Sequence, residues 1–375
     1  MKKRSIVTML VALALILSAV VPVMAEDVIK IGGIGVLSGD YALYGLAVKE
    51  GVDLYVKQVN EKGGILGKQV EVLWEDTEAQ ASKAILAYDK LSEEVVGLIG
   101  GVLSGESKAL AEVSAEDGMP QISPSATAYD VTTDRPNVFR TCFLDPFQGN
   151  AIAKYMADQG SKKVAVLYDN ATEYSKGLYD AFKARSEELG VEIIAAESAA
   201  YGDKDYKTQL TTIMNASPEA VFLPYYGADA AMILAQANEL GLNVKFYGAD
   251  GISDIVDYVA DKSLLANLVY TDHFSTDADS QMAKDFVAAF QAEYGKMPTI
   301  SFSATGYDAA VVLLSAIEKA GSTEKQAIVD AIKATDLTAV SGKITFDDHN
   351  DPIKSAFLLT FDAEGNKQYL TQVDP

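Results

Sequence analysis

Two short stretches carry hydroxyl groups at points where strands give way to turns or helices: Gly101-Val102-Leu103-Ser104-Gly105 and Pro124-Ser125-Ala126-Thr127. Each offers side-chain oxygens together with main-chain N–H groups freed by glycine or by a helix N-terminus. That is the donor set a small carboxylate needs. Far along the chain, Asp250 in Tyr247-Gly248-Ala249-Asp250-Gly251 ends another strand, where it serves either as a helix cap or as an acceptor facing a crevice. If it faces the crevice of Ser104 and Thr127, the three suit an amino acid, with ammonium to Asp250 and carboxylate to the hydroxyls. Tyrosine is abundant, 19 residues against one Trp, and Tyr44, Tyr174, Tyr225 and Tyr226 follow strand ends in both halves. Such positions line a crevice or cover ordinary surface, and their repetition in both halves favours the crevice.

Other chemistries find less support. Gly33-Ile34-Gly35-Val36-Leu37-Ser38-Gly39 resembles a dinucleotide fingerprint with Ser in its third position, but it reads as a tight strand-to-helix turn. Ser104 does not sit between glycines at the spacing of a nucleophile elbow. The two histidines, His273 and His349, are the only imidazole bases, so a serine hydrolase is poorly served. Asp347-Asp348-His349-Asn350-Asp351 lacks the glycine and distal Glu of a calcium loop and reads as a solvated hairpin turn. No metal or cofactor is expected. Cys142, the single cysteine, reads as a small buried hydrophobe, and no disulfide can form within the chain.

The elements that must position these residues alternate between strand and helix. Residues 28–37, 70–74 and 96–100 read as strands, with helices at 44–60 and 79–91 between them. After Asp145-Pro146 the pattern restarts: helices at 148–159, 174–189, 206–214 and 229–240 interleave with strands at 163–168, 192–196, 220–223 and 245–247. Two restarts of a doubly wound α/β pattern imply two similar sheets. In such sheets the loops after consecutive strands share one edge, so Ser104 and Thr127 should face one crevice. A strand at 268–271 follows. Helices at 280–294 and 304–320 have no strand of their own to cover and should return to the first domain. A third helix at 324–334 precedes strands at 343–346, 356–361 and 367–372, with hairpin turns at 347–352 and 362–366.

Residues 1–25 read as a secretory signal: Lys2, Lys3 and Arg4, an apolar run from Ile6 to Val23, and a small-x-small site ending at Ala25. The run is nearly long enough for a membrane anchor, but it ends at a cleavage site and enters an acidic, strand-like segment. No Cys follows it, so lipid anchoring is not indicated, and a periplasmic location is expected. Cleavage leaves about 350 residues, enough for two domains, with 28 basic against 53 acidic residues, a net charge of −25. Such a surface repels nucleic acid and anionic lipid.

The stretches Ile29-Lys30-Ile31 through Leu37-Ser38-Gly39, Tyr44-Gly45, Val59-Asn60-Glu61-Lys62-Gly63-Gly64-Ile65-Leu66-Gly67, Ile122-Ser123-Pro124-Ser125-Ala126-Thr127 and Phe139-Arg140-Thr141 resemble the solute-binding proteins of branched-chain amino acid ABC importers, the type I periplasmic binding proteins. The resemblance runs nearly end to end through the mature chain. It implies two Rossmann-like α/β lobes joined by a three-strand hinge, the first formed by residues 26–144 plus 273–348 and the second by 145–272 plus 349–375. It implies a ligand clamped as the lobes close. Ser104 and Thr127 would hold the ligand carboxylate, the Ser125 carbonyl and Asp250 its ammonium, and Ala126 would line the second turn. Tyr44, Tyr174, Tyr226 and Phe302 would form the pocket wall, with Asp145 at a crossover near the mouth. The family often has Glu where this chain has Asp250.

The expected function is a monomeric, non-enzymatic binding protein that captures an aliphatic L-amino acid and delivers it to an inner-membrane ABC permease and its ATPase. Alternatives are the same fold carrying an aromatic or other small carboxylic acid or amide, a sensor subunit, or a secreted hydrolase using Ser104.

Overall fold

The computed structural model describes residues 28–200, 202–277 and 279–375; the signal-like segment lies outside the described residues. β1 (Ile29–Gly35) is buried at every position except half-buried Lys30, as a parallel strand covered on both faces requires. With β2 (Val70–Asp76), β3 (Leu98–Gly100), β4 (Gln121–Ser123) and β5 (Val138–Arg140) it forms a five-stranded parallel sheet in the order β2-β1-β3-β4-β5. The helices α1 (Ala42–Glu61), α2 (Ala81–Leu91) and α3 (Ser104–Glu116) connect its strands.

The second sheet repeats that winding. β6 (Lys163–Asp169), β7 (Glu192–Ala199), β8 (Ala220–Phe222), β9 (Lys245–Gly248) and β10 (Leu268–Asp272) are parallel and ordered β7-β6-β8-β9-β10. Their connecting helices are α4 (Asp145–Asp158), α5 (Glu173–Leu189), α6 (Lys207–Ala216) and α7 (Gly227–Leu240). The strand order reverses between β1 and β3 in one sheet and between β6 and β8 in the other. Loops beside such a reversal diverge and leave a crevice at the carboxyl ends of the strands. Tyr44 and Ser104 follow β1 and β3, and Tyr174 and Tyr226 follow β6 and β8.

After β10 the chain returns to the first sheet through α8 (Gln281–Tyr294), α9 (Phe302–Ala320) and α10 (Lys325–Lys333). Phe286 and Phe290 of α8 bury against Leu54 of α1. A Cβ on Gly51 would lie 1.9 Å from the Ser303 carbonyl oxygen, so only glycine permits α1 and α9 to approach this closely. The chain then forms a ribbon of β11 (Asp336–Ala339) and β12 (Gly342–Thr345) and crosses back to add β13 (Ala356–Phe361), antiparallel to β10, and β14 (Lys367–Val373), antiparallel to β13. Three crossovers therefore join lobe 1, built on the first sheet, to lobe 2, built on the second.

Residues 347–352 do turn the chain back, closed by an antiparallel bridge between Phe346 and Pro352 and by Asp347 N–H on the Asp351 carbonyl (2.9 Å). The strands beyond the turn do not pair with each other, since β12 pairs with β11 and β13 belongs to the lobe 2 sheet, so this acidic turn lies on the third crossover. It is not wholly solvated, since Asn350 and Asp351 are buried. The short strands β5 and β11 were absent from the pattern because three or four residues carry little periodicity.

Candidate functional site

In lobe 1, the turn after β3 is fixed by Glu106, whose carboxylate accepts from the N–H groups of Val102 (2.9 Å) and Leu103 (3.1 Å) and from the Thr77 hydroxyl. Those bonds hold Ser104 at the start of α3. Its hydroxyl accepts from Ala128 N–H at 3.3 Å, and Ser125 Oγ donates to the Val102 carbonyl at 2.8 Å, so the two turns are cross-braced. Ser104 and Thr127 thus share one crevice edge. Ala126 spends both main-chain groups inside lobe 1, its N–H on Ser123 Oγ and its carbonyl on Arg140. It can offer only a methyl group.

Thr127 is 1 % exposed, and its hydroxyl lies beside the Asp145 carboxyl without either group completing a hydrogen bond of normal geometry. Asp145, the first residue of α4, is wholly buried rather than placed at the mouth. Burial pushes its carboxyl well above the usual range, the Asp250 charge raises it further, and Thr127 and Arg140 partly offset both. A buried carboxyl with two unpartnered oxygens is costly. Such a group is suited to receiving a cation.

Lobe 2 supplies the opposite kind of construction. The Asp250 carboxylate accepts from Gln148 Nε2 (2.9 Å) and the Tyr174 hydroxyl (3.1 Å), and its second oxygen lies 2.9 Å from His273 Nε2. Gln148 Oε1 in turn accepts from Asp250 N–H (3.0 Å) and the Thr271 hydroxyl (2.8 Å). Asp250 is therefore a braced acceptor. Tyr174 stacks on Tyr226 at 4.8 Å, and Tyr44 packs against Tyr226 at 5.7 Å and Phe302 at 5.4 Å, so the four aromatic residues enclose one region.

The lobes meet through tyrosine. Tyr44 of lobe 1 places its hydroxyl 2.5 Å from the Gly251 carbonyl, 2.6 Å from Asp254 Oδ1 and 2.8 Å from the donating Gly227 N–H, all in lobe 2. The fit is close enough that a Cβ on Gly227 would lie 1.9 Å from Asp254 Oδ1. The Tyr41 hydroxyl donates to Asp229 (2.8 Å) and the Tyr258 hydroxyl to the Asp40 carbonyl (3.1 Å). The Tyr226 hydroxyl lies against Ser104 N–H. Burial, aided by neighbouring carboxylates, holds the Tyr44, Tyr174 and Tyr226 hydroxyls well above their ordinary pKa. They act as neutral donors and acceptors.

The anticipated residues thus converge from distant chain segments, Tyr44 meeting both Gly251 and Phe302. Residues 28–366 match the periplasmic binding protein family. The chain belongs to the periplasmic binding protein family. Among its relatives, a Leu/Ile/Val-binding protein of Rhizobium johnstonii is 32 % identical across 90 % of this chain and 92 % of its own. A leucine-binding protein of Thermotoga maritima is 32 % identical with a TM-score of 0.86, covering 92 % of this chain and 99 % of that one. The branched-chain amino acid transporter substrate-binding protein of Streptococcus pneumoniae, solved with isoleucine, is 31 % identical with a TM-score of 0.88 and covers 93 % and 100 %.

In this periplasmic binding protein several groups around the crevice escape sequence reasoning. Gln148 and Asp254 carry no local signal. His273 was weighed only as a base, yet its rarity as one of two histidines, just after a strand, could have marked it. Arg140 stood inside a family-like segment without an assigned task. Among the described residues no cluster of His, Cys, Asp and Glu could hold a metal ion, and no helix is long and apolar enough to cross a membrane.

Proposed function

We propose that this binding protein captures an aliphatic L-amino acid between its lobes and hands it to an ABC permease in the inner membrane. The observation that carries the reading is the pairing of opposites at the lobe seam. Hydroxyl-bearing turns with Ser104 and Thr127 stand on one side, and the braced carboxylate of Asp250, with the unpartnered carboxyl of Asp145, on the other. A zwitterion needs both. Ligand carboxylate would meet Thr127 and Ser104, ligand ammonium would meet Asp250 and the Ser125 carbonyl, and Tyr44, Tyr174, Tyr226 and Phe302 would enclose the side chain. The names of the relatives, which bind leucine, isoleucine or valine, support the same ligand class. Two buried carboxyls weigh against a simple aromatic acid, which brings no cation to offset them. Lobe boundaries after residues 144, 272 and 348, a cleaved signal ending at Ala25 and a periplasmic, monomeric protein complete the proposal.

Titration calorimetry against leucine, isoleucine, valine and benzoate is the test. Binding of the aliphatic amino acids at micromolar or tighter dissociation constants, with benzoate inert, is expected. Preferential binding of benzoate would replace the amino acid reading with an aromatic acid.

A further inference from the structure

We infer that Arg140 is a positioning residue, which sets the turn bearing Thr127 and ties it to the third crossover; the inference deepens the proposed amino acid site and rests on it. Arg140 ends β5 with its side chain wholly buried. Its Nη1 donates to the carbonyls of Ala126 (2.8 Å) and Ala128 (2.9 Å), and its Nη2 to the Tyr129 carbonyl (3.3 Å) and the Thr132 hydroxyl (2.7 Å). Nε lies 2.6 Å from Asp351 Oδ1. Of the five N–H groups of a guanidinium, four are spent on these carbonyls and this hydroxyl, and Nε stands at ion-pair distance from Asp351 without completing a hydrogen bond of normal geometry.

Three of those acceptors are carbonyls of the turn itself. Carbonyls at 126 and 128 drawn back to Arg140 leave the intervening residue, Thr127, presenting its hydroxyl beside Asp145. The Thr127 carbonyl is taken separately, by Asp145 N–H at 2.9 Å. The orientation of Thr127 is therefore imposed from behind by a group that never meets the ligand.

The ion-pair partner belongs to a different element. Asp351 lies on the crossover from β12 to β13 and also accepts from the Thr132 hydroxyl at 2.8 Å. The same crossover is pinned by Asn350 Nδ2 on the Arg135 and Val138 carbonyls (both 3.1 Å) and by Lys354 Nζ on the Thr141 carbonyl (2.8 Å). Rotation of the lobes must pass through this segment, so its position and that of the Thr127 turn are coupled through one guanidinium. Lysine cannot replace it, since one ammonium cannot span acceptors arrayed around a planar fork.

The test uses the full chain as Arg140→Lys, Asp351→Asn, Thr127→Ala and the Arg140→Lys/Thr127→Ala double variant. In ligand-free protein, hydrogen exchange at the amides of Ala126 and Ala128 should rise by about fivefold or more in Asp351→Asn, whose contacts with that segment are Arg140 and Thr132, itself held by Arg140. In folded Arg140→Lys the dissociation constant for L-leucine should rise about tenfold, and the double variant should bind little worse than Thr127→Ala alone, the non-additivity expected of residues acting through one another. Unchanged exchange in Asp351→Asn would overturn the coupling. Fully additive losses, or unaltered leucine affinity in folded Arg140→Lys, would reduce Arg140 to a structural residue. Failure of the wild-type protein to bind leucine would defeat the amino acid reading instead, and the exchange result would still decide the coupling.

Discussion

The two halves of the crevice solve opposite electrostatic problems with opposite materials. Lobe 1 presents neutral dipoles, Ser104 and Thr127, on turns held from behind by the charged side chains of Glu106 and Arg140. Lobe 2 presents charge itself, Asp250, held by the neutral or weakly basic Gln148, Tyr174 and His273. The difference teaches where a fixed charge is useful. A buried carboxylate kept in place by three partners is a permanent acceptor for an ammonium, whereas a ligand carboxylate is better met by dipoles that carry no net charge to strand when the site opens.

The sharpest way to break this comparison is to remove the charged half. Asp250→Ala should raise the dissociation constant for L-leucine by about a hundredfold or more, since a lost charge-assisted bond costs about 1.5–3 kcal/mol and leaves its three partners unpaired. Calorimetry with 4-methylpentanoate, which lacks the ammonium, should show a much smaller loss; equal losses for both ligands would sink the ammonium role. Thr127→Ala removes one neutral donor and should cost about tenfold, with the selectivity pattern reversed: leucinamide binding should change less than leucine binding.

The tyrosine seam between the halves offers a third test. The Tyr44 hydroxyl has one proton for two acceptors, the Gly251 carbonyl and Asp254 Oδ1. A proton on Asp254 resolves the shortage, consistent with burial pushing that carboxyl up to about 7 against the opposing bonds from Tyr44 and Tyr258. An Asp in the unfolded chain titrates near 3.9. The folded pKa is the higher, so this contribution to stability is full below about pH 4 and is lost as pH rises through about 7. Melting temperature should therefore fall across that window, and Asp254→Asn should flatten part of the slope. An identical slope in the variant would place the titration at the other raised buried carboxyls, among them Asp145 and Asp308. The smallest effect is expected for Tyr41→Phe, which removes one cross-lobe bond to Asp229, a carboxyl that also lies near Tyr206 and Lys204, and should weaken leucine binding by about threefold; a loss as large as that of Asp250→Ala would move the decisive contact from the crevice to the seam.

Much of the fold is legible along the chain because doubly wound sheets write themselves in alternation. β1, β6 and β8 are apolar runs, the intervening helices carry amphipathic spacing, and the repeat after Asp145-Pro146 announces a second lobe. Ser104, Thr127 and Asp250 could be nominated because hydroxyls and carboxylates at strand ends have a narrow range of uses. The errors fall where local chemistry and distant contacts disagree. Asp351 looks like part of a solvated acidic turn until Arg140, over two hundred residues earlier, is seen to bury it. Asp145, on the first crossover, looks placed at the mouth until its complete burial is seen.

The order of strands and helices, the crevice edge and the chemical kind of its groups were determined by the sequence itself, since each follows from short-range periodicity and side-chain type. Which oxygen of which carboxylate is free and which is braced was decided only by tertiary structure. Hydrogen bonds are satisfied between groups close in space, not in sequence, and Asp250 meets Gln148 102 positions away while Asp145, the same residue type, meets no full partner at all.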